Sequence, residues 1–268
     1  MKQRIITGSV LVLVLALLIY FGEGKLEFLF SGFCVILAGL AAYEFTKMSR
    51  NDKPKRWFDY IAVLVTIAFS VMSVLNFTRI IYYIYVFIFI IAMLLLYAIL
   101  FIAIKGFKKE DFGNQILTVF YTSFGFIAFA FLRKESINLI IYLFLVSMVT
   151  DVFAYLIGIK FGKHRLAVEI SPKKSVEGAI GGLVFGAVIA TLFGHYMNVF
   201  EFGFIQILLL SAVLSCISQI GDLIASKFKR ESGIKDYSQL LPGHGGILDR
   251  FDSSMFAAIF LMLAVIIF

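Results

Sequence analysis

The sequence has little charge and little proline, cysteine or tryptophan for its 268 residues. Charged residues make up 15% of the chain and hydrophobic residues 61%, against roughly 25% and 45–50% in soluble globular proteins. A soluble domain has no interior large enough to bury that much apolar surface. Only three prolines argue against collagen or Pro-rich disorder, and 31 phenylalanines argue against a solvated tail.

The two cysteines, Cys34 and Cys216, lie in apolar runs, and no CxxC or Cys/His spacing typical of a metal site accompanies them. We expect both to be small buried hydrophobic residues rather than a disulfide or a metal pair. The net charge of +7 is compatible with nucleic acid, but no aromatic-rich soluble segment surrounds the basic residues. We therefore expect no nucleic-acid partner, and assign the charge to cytoplasmic loops, anionic lipid or phosphorylated substrates.

Long apolar runs are what the chain has in abundance. A bilayer-spanning helix needs about 20 apolar residues, and the runs predict about nine such helices in an all-α, polytopic integral membrane protein. They cover residues 5–21, 28–46, 58–75, 80–104, 116–132, 139–159, 179–197, 205–224 and 253–268. We expect one transmembrane domain over residues 1–268. The first run is expected to be a retained helix, because no small-residue cleavage site follows it.

The basic residues alternate along the chain in a way that predicts its orientation. Of the 24 Lys and Arg residues, 20 lie at the N-terminus and in the loops after the even-numbered runs, and 4 lie in the other loops. Because positive charge is retained on the cytoplasmic side, the sequence predicts a cytoplasmic N-terminus. It also predicts a multi-pass protein of the cytoplasmic membrane whose two longest polar loops, 160–178 and 225–252, face the cytoplasm.

Carboxylates inside or beside the apolar runs are the first candidates for chemistry. A carboxylate at the centre of a membrane helix costs about 2.5–3.5 kcal/mol or more, so it marks a functional site unless it reaches the interface. Asp151 lies within the sixth run, whereas Glu44 and Asp222 lie late in the second and eighth. Asp249 and Asp252 precede the ninth run, where capping of the helix dipole is the simpler explanation.

The segment 226–252 combines basic residues, glycines and carboxylates. Glycines followed by a helix N-terminus offer free backbone N–H groups to an anion, and Gly245 and Gly246 follow His244, for which we expect a functional role. The basic residues are Lys227, Lys229, Arg230, Lys235 and Arg250. Mg²⁺ prefers one or two carboxylates plus substrate phosphate oxygens, which Asp222 and Asp249 could supply. Carboxylates, basic residues and glycines together, without a Ser/His/Asp or Cys/His nucleophile arrangement, indicate phosphoryl or nucleotidyl transfer.

A second basic loop, with Lys173 and Lys174, precedes the seventh run and is expected on the same side of the membrane. Positive-inside charge alone is the alternative for these two lysines. Gly178, Gly182 and Gly186 then recur every four residues, which is typical of close packing between membrane helices. Such packing is compatible with a homodimer or with a monomer.

The segment 226–252 resembles the signature of the phosphatidate cytidylyltransferase family, also called CDP-diacylglycerol synthase. Its pattern is S-x-hydrophobic-K-R, then K-D, then H-G-G-hydrophobic-x-D-R-hydrophobic-D. The matching positions are Ser226, Lys229, Arg230, Lys235, Asp236, His244, Gly245, Gly246, Asp249, Arg250 and Asp252. Stretches around Asp151, the Ser-Pro-Lys-Lys-Ser-x-Glu-Gly run and Gly221-Asp222 also resemble the family. Residues 137–268 therefore carry the likeness, and residues 1–135 share only hydrophobic character and Glu44.

The resemblance implies that phosphatidate and CTP give CDP-diacylglycerol and pyrophosphate with Mg²⁺ on Asp222 and Asp249, and it leaves open whether K⁺ binds alongside. The catalytic set is then expected to be Asp222, Asp249, Lys235 and His244. The substrate-binding set is expected to be Lys173, Lys174, Lys229, Arg230, Gly245, Gly246 and Arg250. In our interpretation Lys173 or Lys174 binds the phosphatidate headgroup, and the other basic residues neutralise the triphosphate.

Two other functions remain open on the sequence alone. A CTP-dependent lipid kinase of the dolichol or phytol type would move the γ-phosphoryl group instead of CMP. A transporter would also carry intramembrane aspartates and Gly-containing helices, but it has no need for a densely polar cytoplasmic loop.

Overall fold

The computed structural model describes residues 2–21, 26–50, 56–77 and 82–267, with side chains from residue 7 onward. Over these ranges the chain forms nine α-helices and one two-stranded antiparallel hairpin. The helices are α1 (Lys2–Phe21), α2 (Glu27–Arg50), α3 (Asp59–Asn76), α4 (Tyr82–Ala103), α5 (Lys109–Glu135), α6 (Ile137–Phe161), α7 (Val176–Tyr196), α8 (Phe204–Glu231) and α9 (Leu248–Ile267). The strands β1 (Arg165–Ala167) and β2 (Ser171–Ser175) lie between α6 and α7.

The architecture confirms the predicted all-α, polytopic membrane fold. Within the described ranges, eight helices, α2 to α9, are long and apolar enough to cross a membrane. The apolar stretch described in α1, Thr7–Phe21, is shorter than such a crossing. The predicted run ends at residues 80 and 268 lie outside the described residues. The short hairpin was not predicted, because its polar residues carry no apolar pattern.

Several helices continue beyond the apolar runs that predict them. Helix α8 continues seven residues past the expected end at 224, and α9 begins at Leu248 rather than at 253. Apolarity marks only the part of a helix that faces lipid, whereas backbone hydrogen bonding continues into water wherever good helix formers follow. The polar segment 225–252 is therefore helical at both ends, and only residues 232–247 form the loop between α8 and α9.

The glycines of α7 bring it against α6. A Cβ atom at Gly178 would lie 2.5 Å from the Ala154 carbonyl oxygen, and one at Gly182 would lie 2.6 Å from that of Thr150. These distances are far below van der Waals contact, so only glycine permits this spacing. The expected close packing is confirmed, and it joins α6 and α7 beneath the hairpin that connects them.

The core of the bundle lies between α2, α5, α6, α8 and α9, and α5 is the most buried of the eight candidate spans while α4 is the least. Phe45 of α2 packs on Tyr121 of α5 and Phe228 of α8, which joins the N-terminal helices to the C-terminal ones. Both cysteines are free, but only Cys34 is buried. The expectation for Cys216 was wrong, because α8 presents that position on the outer surface, where an apolar residue faces lipid.

Candidate active site

A cavity of about 670 Å³ lies where α6, the hairpin, α7 and α8 meet. That volume suits a small-molecule or lipid-headgroup ligand. Its wall is polar on the hairpin and α8 side and, apart from Asp151, apolar along α6, where Tyr155 and Ile159 are exposed on the outer surface. Its charged and amide lining residues are Asp151, Arg165, Lys173, Lys174, Gln219 and Asp222.

The two predicted lysines of the second basic loop reach this cavity from β2. Lys174 forms an ion pair with Asp222 of α8, and Lys173 is exposed. The strand ends at Ser175, whose hydroxyl accepts a hydrogen bond from the Gly178 backbone N–H at 3.2 Å and caps α7. The cap and the ion pair therefore hold β2 against the cavity, with Lys174 in contact with the α8 carboxylate.

Three aspartates from three helices converge near this ion pair. Asp222 of α8 interacts electrostatically with Asp151 of α6 and Asp252 of α9. The Ser253 hydroxyl donates to Asp151 Oδ2 at 3.1 Å. At Gly221 a Cβ atom would lie 2.8 Å from the Asp252 carbonyl oxygen, so α8 and α9 almost touch here. The fold thus brings together carboxylates that are up to 101 positions apart in the sequence.

A buried ion pair lies beside these aspartates. Lys229 Nζ is 2.8 Å from Asp249 Oδ1 and 3.8 Å from Asp252 Oδ2. Asp249 Oδ2 accepts hydrogen bonds from the backbone N–H groups of Tyr237 at 2.8 Å and Gly246 at 2.9 Å. The Asp249 side chain is 3% exposed, so three donors satisfy it in place of water. Asp249 thus joins the first turn of α9 to the preceding loop and is the partner of a buried lysine.

Tyr237, in the loop between α8 and α9, packs its ring beside this ion pair. Lys229 Nζ lies 5.2 Å from the centre of its ring, and its hydroxyl donates to the Ala225 carbonyl oxygen at 3.3 Å. Burial is the main cause that raises the pKa of the Tyr237 phenol well above its usual range, and Tyr121 and two aspartates raise it further. The phenol therefore stays neutral and remains a hydrogen-bond donor.

Four more predicted site residues lie outside both the main cavity and the Lys229–Asp249 ion pair. Arg230 donates from Nε to the Ile170 carbonyl oxygen at 3.3 Å and from Nη1 to the Ile234 carbonyl oxygen at 2.9 Å, so it ties the hairpin turn to the loop. Lys235 lines a separate pocket of about 520 Å³ between the loop and α2. The His244 ring packs on α1, where a Cβ atom at Gly8 would be 3.0 Å from Nε2. Arg250 is exposed on α9.

The paired glycines Gly245 and Gly246 allow the backbone to approach two carboxylates. Gly245 has φ +83°, and a Cβ atom there would be 2.8 Å from Asp249 Oδ2. A Cβ atom at Gly246 would be 2.5 Å from Glu44 Oε1. Their role in the structure is thus close approach to protein carboxylates; their role toward a substrate stays a prediction.

Sequence reasoning missed Arg165, Gln219 and Tyr237 and assigned no role to Glu44. Arg165 was visible only as one more loop cation, and the pairing of β1 with β2 is what places it in the cavity. Gln219 lies one turn before Asp222 on α8, which is a spacing the sequence does show. Glu44 was visible as a carboxylate in an apolar run, but its partners, like those of Tyr237, come from other parts of the bundle and no local pattern reveals them.

The fold and the site define a class: a polytopic, all-α membrane protein with a cavity in which cationic side chains face aspartates at one end of the helices. A sequence model of the cytidylyltransferase family matches residues 2–268. The chain belongs to the cytidylyltransferase family.

Individual relatives match part of the chain. A phosphatidate cytidylyltransferase of Staphylococcus haemolyticus is 42% identical over 150 residues, which are 56% of this chain and 57% of that protein. The protein of the same name from Staphylococcus aureus strain COL is 45% identical, and that from Staphylococcus epidermidis is 40% identical, with the same coverage. The chain thus spans about half the length of the curated relatives it matches.

Proposed function

We propose that this protein is a phosphatidate cytidylyltransferase, which transfers CMP from CTP to phosphatidate. The observation that carries the proposal is the cavity lined by Arg165, Lys173, Lys174 and Asp222, with apolar residues of α6 beside them. A lipid phosphate needs cations at its headgroup and apolar surface beside them, and this cavity offers both. Family membership and the names of the matched relatives support the same assignment.

The reaction needs no strong base. A phosphate oxygen of phosphatidate, already anionic at neutral pH, attacks the α-phosphorus of CTP and forms the new P–O bond. The bond from that phosphorus to the β-bridging oxygen breaks, and pyrophosphate leaves with the electron pair. Bringing one anion onto a polyanion is the difficulty, so catalysis consists of positioning and charge neutralisation. Lys173, Lys174 and Arg165 hold the lipid phosphate, and their charge lowers its repulsion from CTP.

The aspartates of the site offer oxygen ligands to a divalent cation. Asp222 pairs with Lys174 and Asp249 with Lys229, whereas Asp151 accepts a hydrogen bond from Ser253 and Asp252 lies 3.8 Å from Lys229. Within the described residues, no group of three His, Cys, Asp or Glu side chains forms a metal site by itself. That arrangement suits Mg²⁺, which takes most of its ligands from water and substrate phosphates.

Asp222 is the residue best placed to hold the cation, because its side chain is 27% exposed to the cavity, while Asp249 is 3% exposed and has three donors already. Asp249 joins Asp222 as a ligand if Lys229 moves toward Asp252. When bound, Mg²⁺ supplies positive charge to the triphosphate. Lys174, which pairs with Asp222 in the structure, would bind the lipid phosphate beside a cation held by Asp222.

The basic charge distribution supports an orientation in the cytoplasmic membrane with the site facing the cytoplasm. The cavity lies at the end of the helices where α6 finishes and α7 begins, beside the longest basic loops. A cytoplasmic site gives access to soluble CTP, while phosphatidate stays in the leaflet and reaches the cavity along α6.

The test is formation of CDP-diacylglycerol from phosphatidate and CTP by detergent-purified protein, with and without EDTA. We expect product that depends on both substrates and is abolished by EDTA and restored by excess Mg²⁺. Parallel reactions with α- and γ-labelled CTP identify the transferred group. Entry of the γ-label into lipid would establish the kinase alternative, and flux into liposomes without CTP turnover would establish a transporter.

A further inference from the structure

Glu44 connects the N-terminal helices to the segment that carries the signature. It lies near the end of α2, is 2% exposed, and points into the bundle. Its Oε1 accepts hydrogen bonds from the Ser238 hydroxyl at 2.5 Å and from the Ile247 backbone N–H at 2.9 Å. Its Oε2 accepts one from the Leu248 backbone N–H at 3.0 Å. The carboxylate thus binds the loop and the start of α9 at once.

These contacts satisfy groups that α9 leaves open. The first backbone N–H groups of a helix have no partner within it, and the helix dipole favours a negative charge there. Glu44 supplies that charge from another helix, although α9 already has Asp249 in its first turn. Asp249 accepts from the backbone N–H groups of Tyr237 and Gly246, which precede α9, so Glu44 is the carboxylate that binds the first N–H of the helix itself.

The segment 246–248 lies between the carboxylates of Glu44 and Asp249. The Gly246 N–H donates to Asp249 Oδ2 at 2.9 Å, while the place of its missing Cβ lies 2.5 Å from Glu44 Oε1. Any larger residue would separate Glu44 from the backbone. Because Leu248 immediately precedes Asp249, a shift of the two amides bound by Glu44 moves Asp249 and, through the 2.8 Å contact, Lys229.

We propose that Glu44 is a positioning residue that fixes Asp249 and Lys229 relative to the α8 aspartate by anchoring the start of α9 to α2. This inference rests on the proposed function in one respect, since it uses turnover as a readout. A displacement of about 1 Å can cost on the order of 100-fold in rate. Partners that orient ligand residues from outside the site typically contribute about 10–100-fold.

The test replaces Glu44 by glutamine, which keeps size but places an amide NH₂ opposite backbone N–H donors. We expect kcat at saturating CTP and phosphatidate to fall about 10- to 100-fold, with KM for CTP within about threefold of wild type. Hydrogen exchange of the peptide covering residues 238–249 should accelerate. Glu44→Asp, which keeps the charge, should recover part of kcat. Glu110→Gln is the matched control, because Glu110 is exposed on α5 and its ion pair among the described residues is with the neighbouring, exposed Lys109.

Each outcome decides the proposal. Unchanged kcat in folded Glu44→Gln, or faster exchange with unchanged kcat, would overturn it. If Glu44→Gln does not fold, Ser238→Ala removes one of the three donors and must lower kcat by a smaller factor, or the proposal is wrong. Wild-type protein that makes no CDP-diacylglycerol would refute the proposed function instead. The exchange of residues 238–249 in Glu44→Gln then decides the anchoring role alone.

Discussion

The ion pair between Lys229 and Asp249 should contribute measurably to folding, and replacing the two residues singly and together tests this. Lys229→Met keeps the apolar stem and removes the charge, while Asp249→Asn keeps the shape and removes the negative charge. The side chains are 10% and 3% exposed and their charged atoms are 2.8 Å apart. Little solvent screens this pair, unlike an ion pair on the surface.

The structure sets the expected magnitudes. Lys229→Met leaves Asp249 buried with two backbone donors and no countercharge, and removing one partner of a buried pair costs about 3–5 kcal/mol. Asp249→Asn leaves Lys229 with Asp252 at 3.8 Å, so the loss should be smaller, about 1.5–3 kcal/mol, the value of a hydrogen bond to a charged group. The double variant removes both charges of the short pair, and Asp252 loses its 3.8 Å contact with Lys229 there just as in the single Lys229 variant. Its loss should therefore fall short of the sum by about 2 kcal/mol.

The assay is unfolding of the purified protein in mixed micelles as the fraction of SDS rises, followed by far-UV circular dichroism. Lys227→Met is the matched control, because Lys227 pairs with Glu231 at 3.2 Å on the surface, with side chains 50% and 61% exposed. That change should stay within about 0.5 kcal/mol. Additivity of the Lys229 and Asp249 changes to within about 0.5 kcal/mol would refute the reasoning, because it would mean that the two charges do not interact.

Three further predictions concern the helix packing, the cavity and the orientation. Gly182→Ala places a Cβ 2.6 Å from the Thr150 backbone oxygen, so we expect about 1–3 kcal/mol of destabilisation in the same assay, whereas Gly113→Ala, with nothing within 4 Å, should not destabilise. Lys174→Gln should lower kcat/KM for phosphatidate about 10- to 100-fold through loss of a charge-assisted hydrogen bond, measured by CDP-diacylglycerol formation; an unchanged value would remove Lys174 from the lipid site. A membrane-impermeant maleimide should label Glu201→Cys in intact cells and Lys235→Cys only after lysis, and the reverse pattern would invert the orientation.

Much of the fold follows from the chain itself because apolar length is a local property. Each run of apolar residues predicts a helix without reference to any other, and nine helices are found in the described ranges. The predicted helix ends were less accurate. Lys229 and Asp249 lie in helical turns that backbone hydrogen bonds form beyond the hydrophobic runs. The pairing of α6 with α7 was also predictable, because the four-residue glycine spacing encodes a surface that only another helix can fill.

The candidate site was predictable in its chemistry but not in its arrangement. The cations and carboxylates of residues 173–174 and 222–252 were all visible, yet only Lys173, Lys174 and Asp222 of the predicted set line the main cavity. Lys229 and Asp249 instead bind each other, and Lys235 faces another pocket. A sequence shows which residues are charged but not which opposite charge each one meets, since those partners come from other helices.

The sequence by itself determined that this is a membrane bundle of helices with a dense group of cations and aspartates in its second half. It did so because hydrophobic length and residue chemistry are properties of neighbours along the chain. The tertiary structure alone decided that Asp151, Asp222 and Asp252 meet, that β2 lies over them, and that Glu44 holds the start of α9. These contacts join residues that are about 100 to 200 positions apart in the sequence. They depend on how the helices pack, and that packing is determined by close contact at glycines and by the pairing of buried charges.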